Sequence, residues 1–455
     1  MVSKKIVFPK NFIWGTASAS YQIEGAVKED GRGISIWDKF SHTPGRILNN
    51  QNGDVACDSY HKYKEDIKQL KWLGVDAYRF SVAWPRVIPN GTGKVNEKGL
   101  DYYERVVDEL LKNGIKPFVT LYHWDLPQVL EDKGGWRKKD TSYAFADYSE
   151  VVVKRLSDRV KDWITLNEAP CCSYLGYKLG IHAPGARVSN KVYNQILFNL
   201  LLAHGLGLSV IRDFGGSTAR AGIAHDIGTA APATKSKADY EAAKKEWIRK
   251  NSIWLDPLFF GKFSKADLKL MGKDVPEYSN GEMLLISKPV DFFGINVYAL
   301  EDRCHISAKK NGKVKKIPIS LDAPKTSFFW EITPEALSYN IRFACEIYNP
   351  KEIFITENGV AFNDVILQDG RIHDSQRVDF FKSYLAEAAK IVKEGYPLKG
   401  YFEWSLLDNF EWAAGYTQRF GMIYTDYLTQ KRIPKDSAYF YKKLIKENGY
   451  KFQPN

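Results

Sequence analysis

The stretch YHKYKEDIKQLKWLGVDAYRFSV, residues 60–82, carries a unit from which the rest of the chain can be read. Tyr60, Tyr63, Ile67, Leu70 and Leu73 recur three or four residues apart, which puts them on one face of a helix. Gly74 closes that face, and an apolar, β-rich run over 77–82 follows almost at once. The order repeats: Leu100, Tyr103, Val107, Leu110 and Leu111 stop at Gly114 before a run at 117–122. Val378, Phe381, Tyr384, Leu385, Ala388 and Ile391 precede Gly395 and Pro397, ahead of a run at 400–404. Similar runs at 12–17, 163–166, 221–224, 292–297 and 353–356 bring the strand candidates to eight.

Strands alternating with helices form right-handed βαβ units and a parallel sheet. Eight such units close a (βα)8 TIM barrel, the expected α/β fold. No Pro/Gly/Ser-rich linker interrupts the 455 residues, so one catalytic barrel domain over 1–455 is expected. In such a barrel, chemistry sits on the loops leaving the C-terminal ends of the strands.

Composition narrows the class. Hydrophobic residues are 44% and charged residues 26%, ordinary globular values that exclude disorder. The 14% aromatic share, with 12 Trp, suits ligands with flat C–H faces, although core filling accounts for most of the rings. The net charge of +11 comes from 65 basic and 54 acidic residues interspersed along the chain, with no basic run beyond short ones such as Lys309-Lys310 and Lys315-Lys316. That argues against a nucleic-acid partner. Five cysteines (Cys57, Cys171, Cys172, Cys304 and Cys345) are odd in number and scattered, which fits a reducing compartment. The N-terminal Met1-Val-Ser-Lys-Lys-Ile-Val-Phe-Pro lacks a signal-peptide stretch, and no segment approaches the ~20 apolar residues of a membrane span. A cytoplasmic protein without a membrane partner is expected; the oligomeric state, including a homo-oligomer, is left open.

Polar and aromatic groups crowd the strand ends. The first strand is followed by Tyr21-Gln22-Ile23-Glu24, and the second holds Arg79-Phe80-Ser81. The third ends in Tyr122-His123-Trp124-Asp125, the fourth in Thr165-Leu166-Asn167-Glu168 and the sixth in Asn296-Val297-Tyr298. The seventh ends in Thr356-Glu357-Asn358-Gly359, and the eighth runs through Trp404 to Glu411-Trp412. No metal-ligand spacing and no phosphate-cradling glycine loop occurs, so neither metal nor cofactor is called for.

In these segments the chain resembles glycoside hydrolase family 1, the β-glucosidase family. The likeness runs from Phe12-Ile13-Trp14-Gly15 through Trp84-Pro85-Arg86 and His123-Trp124-Asp125-Leu126-Pro127 to Trp404-Ser405-Leu406-Leu407-Asp408-Asn409-Phe410-Glu411-Trp412 and Phe420-Gly421. It implies a retaining β-glycosidase, a β-glucosidase acting on terminal non-reducing β-D-glucosides with β-galactosides and β-fucosides as further substrates, with Glu357 as nucleophile and Glu168 as acid/base. A retaining mechanism needs two carboxyl groups about 5–5.5 Å apart, and strands four and seven lie nearly opposite in an eight-stranded barrel. Glu168 is the expected protonated partner, with Glu357 kept ionised by Arg79 and Tyr298; Asn296 also supports the nucleophile. By the same resemblance, Gln22, His123, Asn167, Glu411 and Trp412 bond the sugar hydroxyls. Trp404 stacks under the ring, Trp330 lines the leaving-group side, and Trp124 is a wall. Glu24 and Glu403 are expected to be structural. The implied partners are small-molecule β-glycosides or cello-oligosaccharides. Glu411 disfavours 6-phosphorylated sugars, leaving a 6-phospho-β-glucosidase, a transglycosylase or a non-catalytic sugar-binding homologue as alternatives.

The chain departs from the family pattern at four places. Ala169 stands where proline usually follows the acid/base, with Pro170 next. Phe329 replaces a common glycine before Trp330 and is expected to narrow or reshape the leaving-group side. Asp226 replaces a common asparagine, and Ser59 a common histidine. Cys171-Cys172 are read as packing residues.

Overall fold

The computed structural model describes residues 4–309, 311 and 313–452; residues 1–3 of the N-terminal stretch and Lys310 of the first basic pair lie outside the described residues. Eight strands form a closed barrel. They are β1 (Ile13–Ala17), β2 (Ala77–Ser81), β3 (Lys116–Tyr122), β4 (Asp162–Asn167), β5 (Arg220–Asp226), β6 (Phe292–Asn296), β7 (Ile353–Asn358) and β8 (Leu398–Trp404). All pair in parallel with their sequence neighbours, and β8 closes the cylinder on β1 from Gly400 opposite Ile13 to Trp404 opposite Ala17. Every strand predicted from the sequence is present within two residues of its expected limits.

A major helix follows each strand: α1 (Ser59–Leu73), α2 (Glu97–Lys112), α3 (Asp140–Leu156), α4 (Asn190–Phe214), α5 (Lys237–Phe260), α6 (Glu335–Tyr348), α7 (Ser375–Lys393) and α8 (Asp436–Glu447). The apolar stripe of α1 buries Tyr60, Ile67, Leu70 and Leu73, and the helix stops at Gly74, whose φ of +80° is left-handed. Leu111, counted in the stripe of α2, instead faces solvent, 39% exposed. Helix α4 corrects the reading of the membrane question. By length and apolarity it matches a membrane span, yet most of its apolar stretch is buried in the protein. Polar residues such as Asn194, Asn199 and His204, interspersed with the leucines, break the run that would otherwise be visible in the sequence.

The barrel interior has a floor. Phe118 of β3 meets Phe402 at 4.9 Å and Phe354 at 5.7 Å, and Phe292 meets Phe354 at 5.3 Å. Arg220, the first residue of β5, stands over Phe292 and Phe354 at 5.6 and 5.9 Å, so this layer lies toward the N-terminal ends of the strands. Burying each ring contributes about 2 kcal/mol. The opposite end, where the strands finish, stays polar.

Candidate active site

Two irregularities aim the glutamates. On β4 the register against β5 shifts between Ile164 and Asn167. Ile164 belongs to the inner apolar cluster, Leu166 to the outer one, and Asn167 turns inward to Arg79 and Asn296. Glu168 follows with a left-handed backbone (φ 45°, ψ 55°) at the head of the short helix Ala169–Ser173. On β7 the register against β6 shifts between Ile355 and Glu357. Thr356 Oγ1 then donates to Asn296 Oδ1 at 2.6 Å, and the next residue, Glu357, also reaches into the barrel mouth. Strict alternation would turn one of two successive residues away; a bulge lets both serve the site.

The two carboxyl groups sit in contrasting surroundings. Glu357 accepts from Arg79 Nη1 at 2.6 Å and from the Tyr298 hydroxyl at 2.7 Å. Glu168 accepts from Asn296 Nδ2 at 2.8 Å and forms no ion pair among the described residues. Asn167 joins the halves, its Oδ1 accepting from Arg79 Nη2 at 2.5 Å and Asn296 Nδ2 at 3.0 Å. Burial, followed by the charge of Glu357, pushes the Glu168 carboxyl up to about 8. Burial also raises Glu357, but Arg79 and the Tyr298 hydroxyl act against it. With no cation at Glu168, the shared proton resides there.

Both carboxyl groups face a cavity of about 580 Å³, lined also by His123, Asn296, Tyr298, Trp330, Trp404, Glu411 and Trp412. Arg79, Gln22 and Asn167 lie just behind its wall, all at most 1% exposed. Gln22 Nε2 donates to Glu411 Oε2 at 3.2 Å and Phe410 O at 2.9 Å, leaving its Oε1 without a partner. Asn167 Nδ2 lies 3.0 Å from His123 Nε2, and burial together with Arg79 holds that imidazole well below its ordinary pKa, hence neutral. His123 is stacked with Trp404 (5.8 Å, 24°). Trp124 forms a wall, stacked with Trp412 at 4.6 Å and donating to Asn167 O at 3.0 Å. Burial and then the Glu357 charge push Glu411 up to about 8.

Supporting residues behave as their chemistry requires. Glu24 pairs with Arg86 Nε at 3.0 Å and accepts from the Tyr103 hydroxyl at 2.7 Å, a structural role. Ser59 donates to Asp66 at 2.7 Å. Cys171 lines the cavity beside Glu168, Cys172 is buried, and burial raises both thiols well above their ordinary pKa.

Phe329 overturns its expectation. Its backbone takes φ +60° and its ring turns outward, 69% exposed, so it does not narrow the catalytic cavity. Phe328, stacked on Trp330 at 4.8 Å, lines the cavity instead. Phe328 and His182 were not singled out in the sequence, because they come from irregular loops with no periodic signal; Phe420 was quoted there only as part of the family likeness, without a role, and Thr356 sits inside the Glu357 motif and could have been found there.

Gly359 explains why that motif ends as it does. A Cβ there would lie 1.6 Å from the Trp404 carbonyl oxygen, and backbone cannot yield as a flexible side chain can. Gly359→Ala is expected to destabilise the fold by about 3 kcal/mol and to lower activity by displacing Trp404 and Glu357 together. Denaturant melts and steady-state kinetics check this; an unchanged melt would refute it.

Comparison with known proteins agrees with this geometry. The model of Glycosyl hydrolase family 1 matches residues 4–450. Beta-glucosidase A of Thermotoga maritima is 46% identical over 443 residues, 97% of this chain and 98% of the relative. Beta-glucosidase A of Acetivibrio thermocellus is 46% identical over 448 residues, covering 98% and 100%. The solved family 1 β-glucosidase of Thermotoga maritima superposes with a TM-score of 0.91 over 98% of this chain and 100% of that one, and its complex with isofagomine lactam with 0.90. A parallel eight-stranded barrel with two buried glutamates at the ends of its fourth and seventh strands, matched nearly end to end, places the chain in glycosyl hydrolase family 1.

Proposed function

We propose that the chain is a retaining β-glucosidase acting on terminal, non-phosphorylated β-D-glucosides. One observation carries the reading: two buried carboxyl groups share one cavity, one held by a cation and the other without one. Glu357, ionised beside Arg79, attacks the anomeric carbon. Glu168, carrying the proton, delivers it to the leaving oxygen. Once the glycosyl–enzyme ester forms, the Glu357 charge is gone and Glu168 becomes more acidic. It then takes a proton from water, which attacks the same carbon and restores the β configuration.

The remaining residues supply sugar recognition. The unpartnered Gln22 Oε1 is a buried acceptor that a sugar hydroxyl would satisfy. If the Asn167 amide donates to His123 Nε2, the neutral imidazole carries its proton on Nδ1, ready to donate to another hydroxyl. The Trp404 indole offers a flat face for the ring. Three carboxyl groups, Glu168, Glu357 and Glu411, share the cavity, and its lining cation Arg303 already faces Glu331 at 3.6 Å. A 6-phosphate would meet the ionised Glu357 and, among the described lining residues, no unpaired arginine or lysine there. Solved structures of the Thermotoga maritima β-glucosidase in complex with deoxynojirimycin and with castanospermine support small sugar-like ligands. The five free thiols support a reducing, cytoplasmic setting.

A panel of aryl β-glycosides tests the specificity. The β-glucoside is expected to be hydrolysed at least about tenfold faster, by kcat/KM, than its 6-phosphate, the minimum effect of one repulsive contact of about 1.4 kcal/mol. Equal rates would end the specificity claim.

A further inference from the structure

A second cavity of about 550 Å³ opens beside the first. It lies between segment 325–329, from the loop after β6, and residues 362–376, which lead from β7 into the first turn of α7. Segment 327–330 is a shared partition. Phe328 and Trp330 stack on its catalytic side, while Phe329 between them lines the second cavity. A bulky side chain held at φ +60° is a strained arrangement, and its effect here is to present a flat, 69% exposed ring to the cavity.

The rest of the lining identifies the ligand class. Phe362 and Ile372 form a buried apolar floor. The carboxylates beneath it are neutralised: Asp364 by Arg377 at 2.8 Å and Lys435 at 2.5 Å, and Asp374 by Arg377. At the edge His373 is paired with Asp369 and Asp436 at 2.9 and 2.6 Å, while Lys325 donates to the neutral Leu321 O at 2.9 Å and keeps its charge. Among the described lining residues Lys325, at the rim, alone keeps an unpaired charge, so the groups flanking the aromatic face are uncharged or already paired. The exposed amides of Asn363 and Gln376 and the Ser375 hydroxyl surround the aromatic face. A ring face plus uncharged donors and acceptors is the combination that binds neutral polyhydroxylated ligands, and the catalytic cavity uses the same combination next door.

We propose that this cavity is a second carbohydrate-binding site, outside the catalytic cavity, which holds a glucosyl unit of a β-linked gluco-oligosaccharide against Phe329. The choice of sugar rests on the β-glucosidase reading. Because segment 327–330 walls both cavities, a sugar held in one lies directly behind the leaving-group side of the other.

The test first blocks the catalytic cavity with a 2-deoxy-2-fluoroglucosyl label on the enzyme, then titrates cellotetraose by calorimetry. Labelled enzyme is expected to bind the tetrasaccharide. Phe329→Gly, which suits the left-handed backbone, and Gln376→Ala should each weaken binding at least about fivefold, the scale of one aromatic contact. Aryl glucoside hydrolysis in both variants should stay within about twofold of wild type. Absence of binding to the labelled enzyme, or equal binding by both variants, would overturn the site. So would a dimer by sedimentation that Phe329→Gly dissociates, since a second copy would then be the occupant. Labelling is read separately by mass. A chain that takes up no label refutes the reaction, and the difference in cellotetraose binding between wild type and the Phe329→Gly and Gln376→Ala variants then reports on the second cavity.

Discussion

Replacing Glu357 with glycine is expected to lower kcat on an aryl β-glucoside by at least about 10⁴-fold, and azide or formate should restore a large part of it. The surroundings of the side chain explain the rescue. Arg79 Nη1 and the Tyr298 hydroxyl, at 2.6 and 2.7 Å from the two carboxylate oxygens, remain in the variant as a ready anion site. A small anion can occupy the vacated space and attack from the side the carboxylate used. With a single displacement and no enzyme ester, the product has the α configuration. Product analysis by NMR checks this. Wild-type turnover without additive would remove Glu357 from the nucleophile's role, and a β-configured azide product would remove the single displacement.

The second large effect concerns Glu168. Glu168→Gln keeps a side chain of the same shape beside Asn296 but has no proton to give. Hydrolysis of a poor leaving group, such as a sugar or alkyl alcohol, is expected to fall by about 10² to 10⁴-fold, the usual contribution of acid–base catalysis. The first step on a dinitrophenyl glucoside should fall far less, because that leaving group departs without protonation. The pH profile gives an independent readout. Glu168 must be protonated to act as the acid and its carboxyl is pushed up to about 8, so wild-type kcat/KM should hold below that pH and decline above it. The descent should vanish in the variant. An equal loss for every leaving group, with the alkaline descent intact, would assign Glu168 a structural role.

The fold was legible because its unit is local and repeats. An apolar helical stripe, a terminating glycine and a β-rich run recur with spacing that a single sequence displays, and the strand limits read from it stand within two residues of the observed ones. The site was legible where short motifs sit at strand ends. The aim of individual side chains was not. Thr356 and Glu357 are neighbours that both point into the mouth, and nothing in their residue types announces the slip in register that allows it. Phe329 shows the converse. Its size and position suggested a narrowed leaving-group side, but a left-handed backbone, set by the turn between Thr326 and Trp330, swings the ring away. Helix α4 was hidden for another reason. Its membrane-like apolarity is spread over a long element with polar interruptions, and only tertiary contact shows that the barrel is what covers it.

The four phenylalanines that floor the barrel have a consequence for how a polymer is consumed. Because Phe118, Phe292, Phe354 and Phe402 fill the far end of the barrel, the catalytic hollow is a blind alley toward that end, entered from the rim where the strands finish. Only the tip of a chain can be inserted, so linkages in mid-polymer are out of reach and units are clipped off singly. The detached monosaccharide lies innermost and must back out through the opening the next molecule needs. Turnover should therefore slow as sugar accumulates, with the inhibition competitive toward substrate.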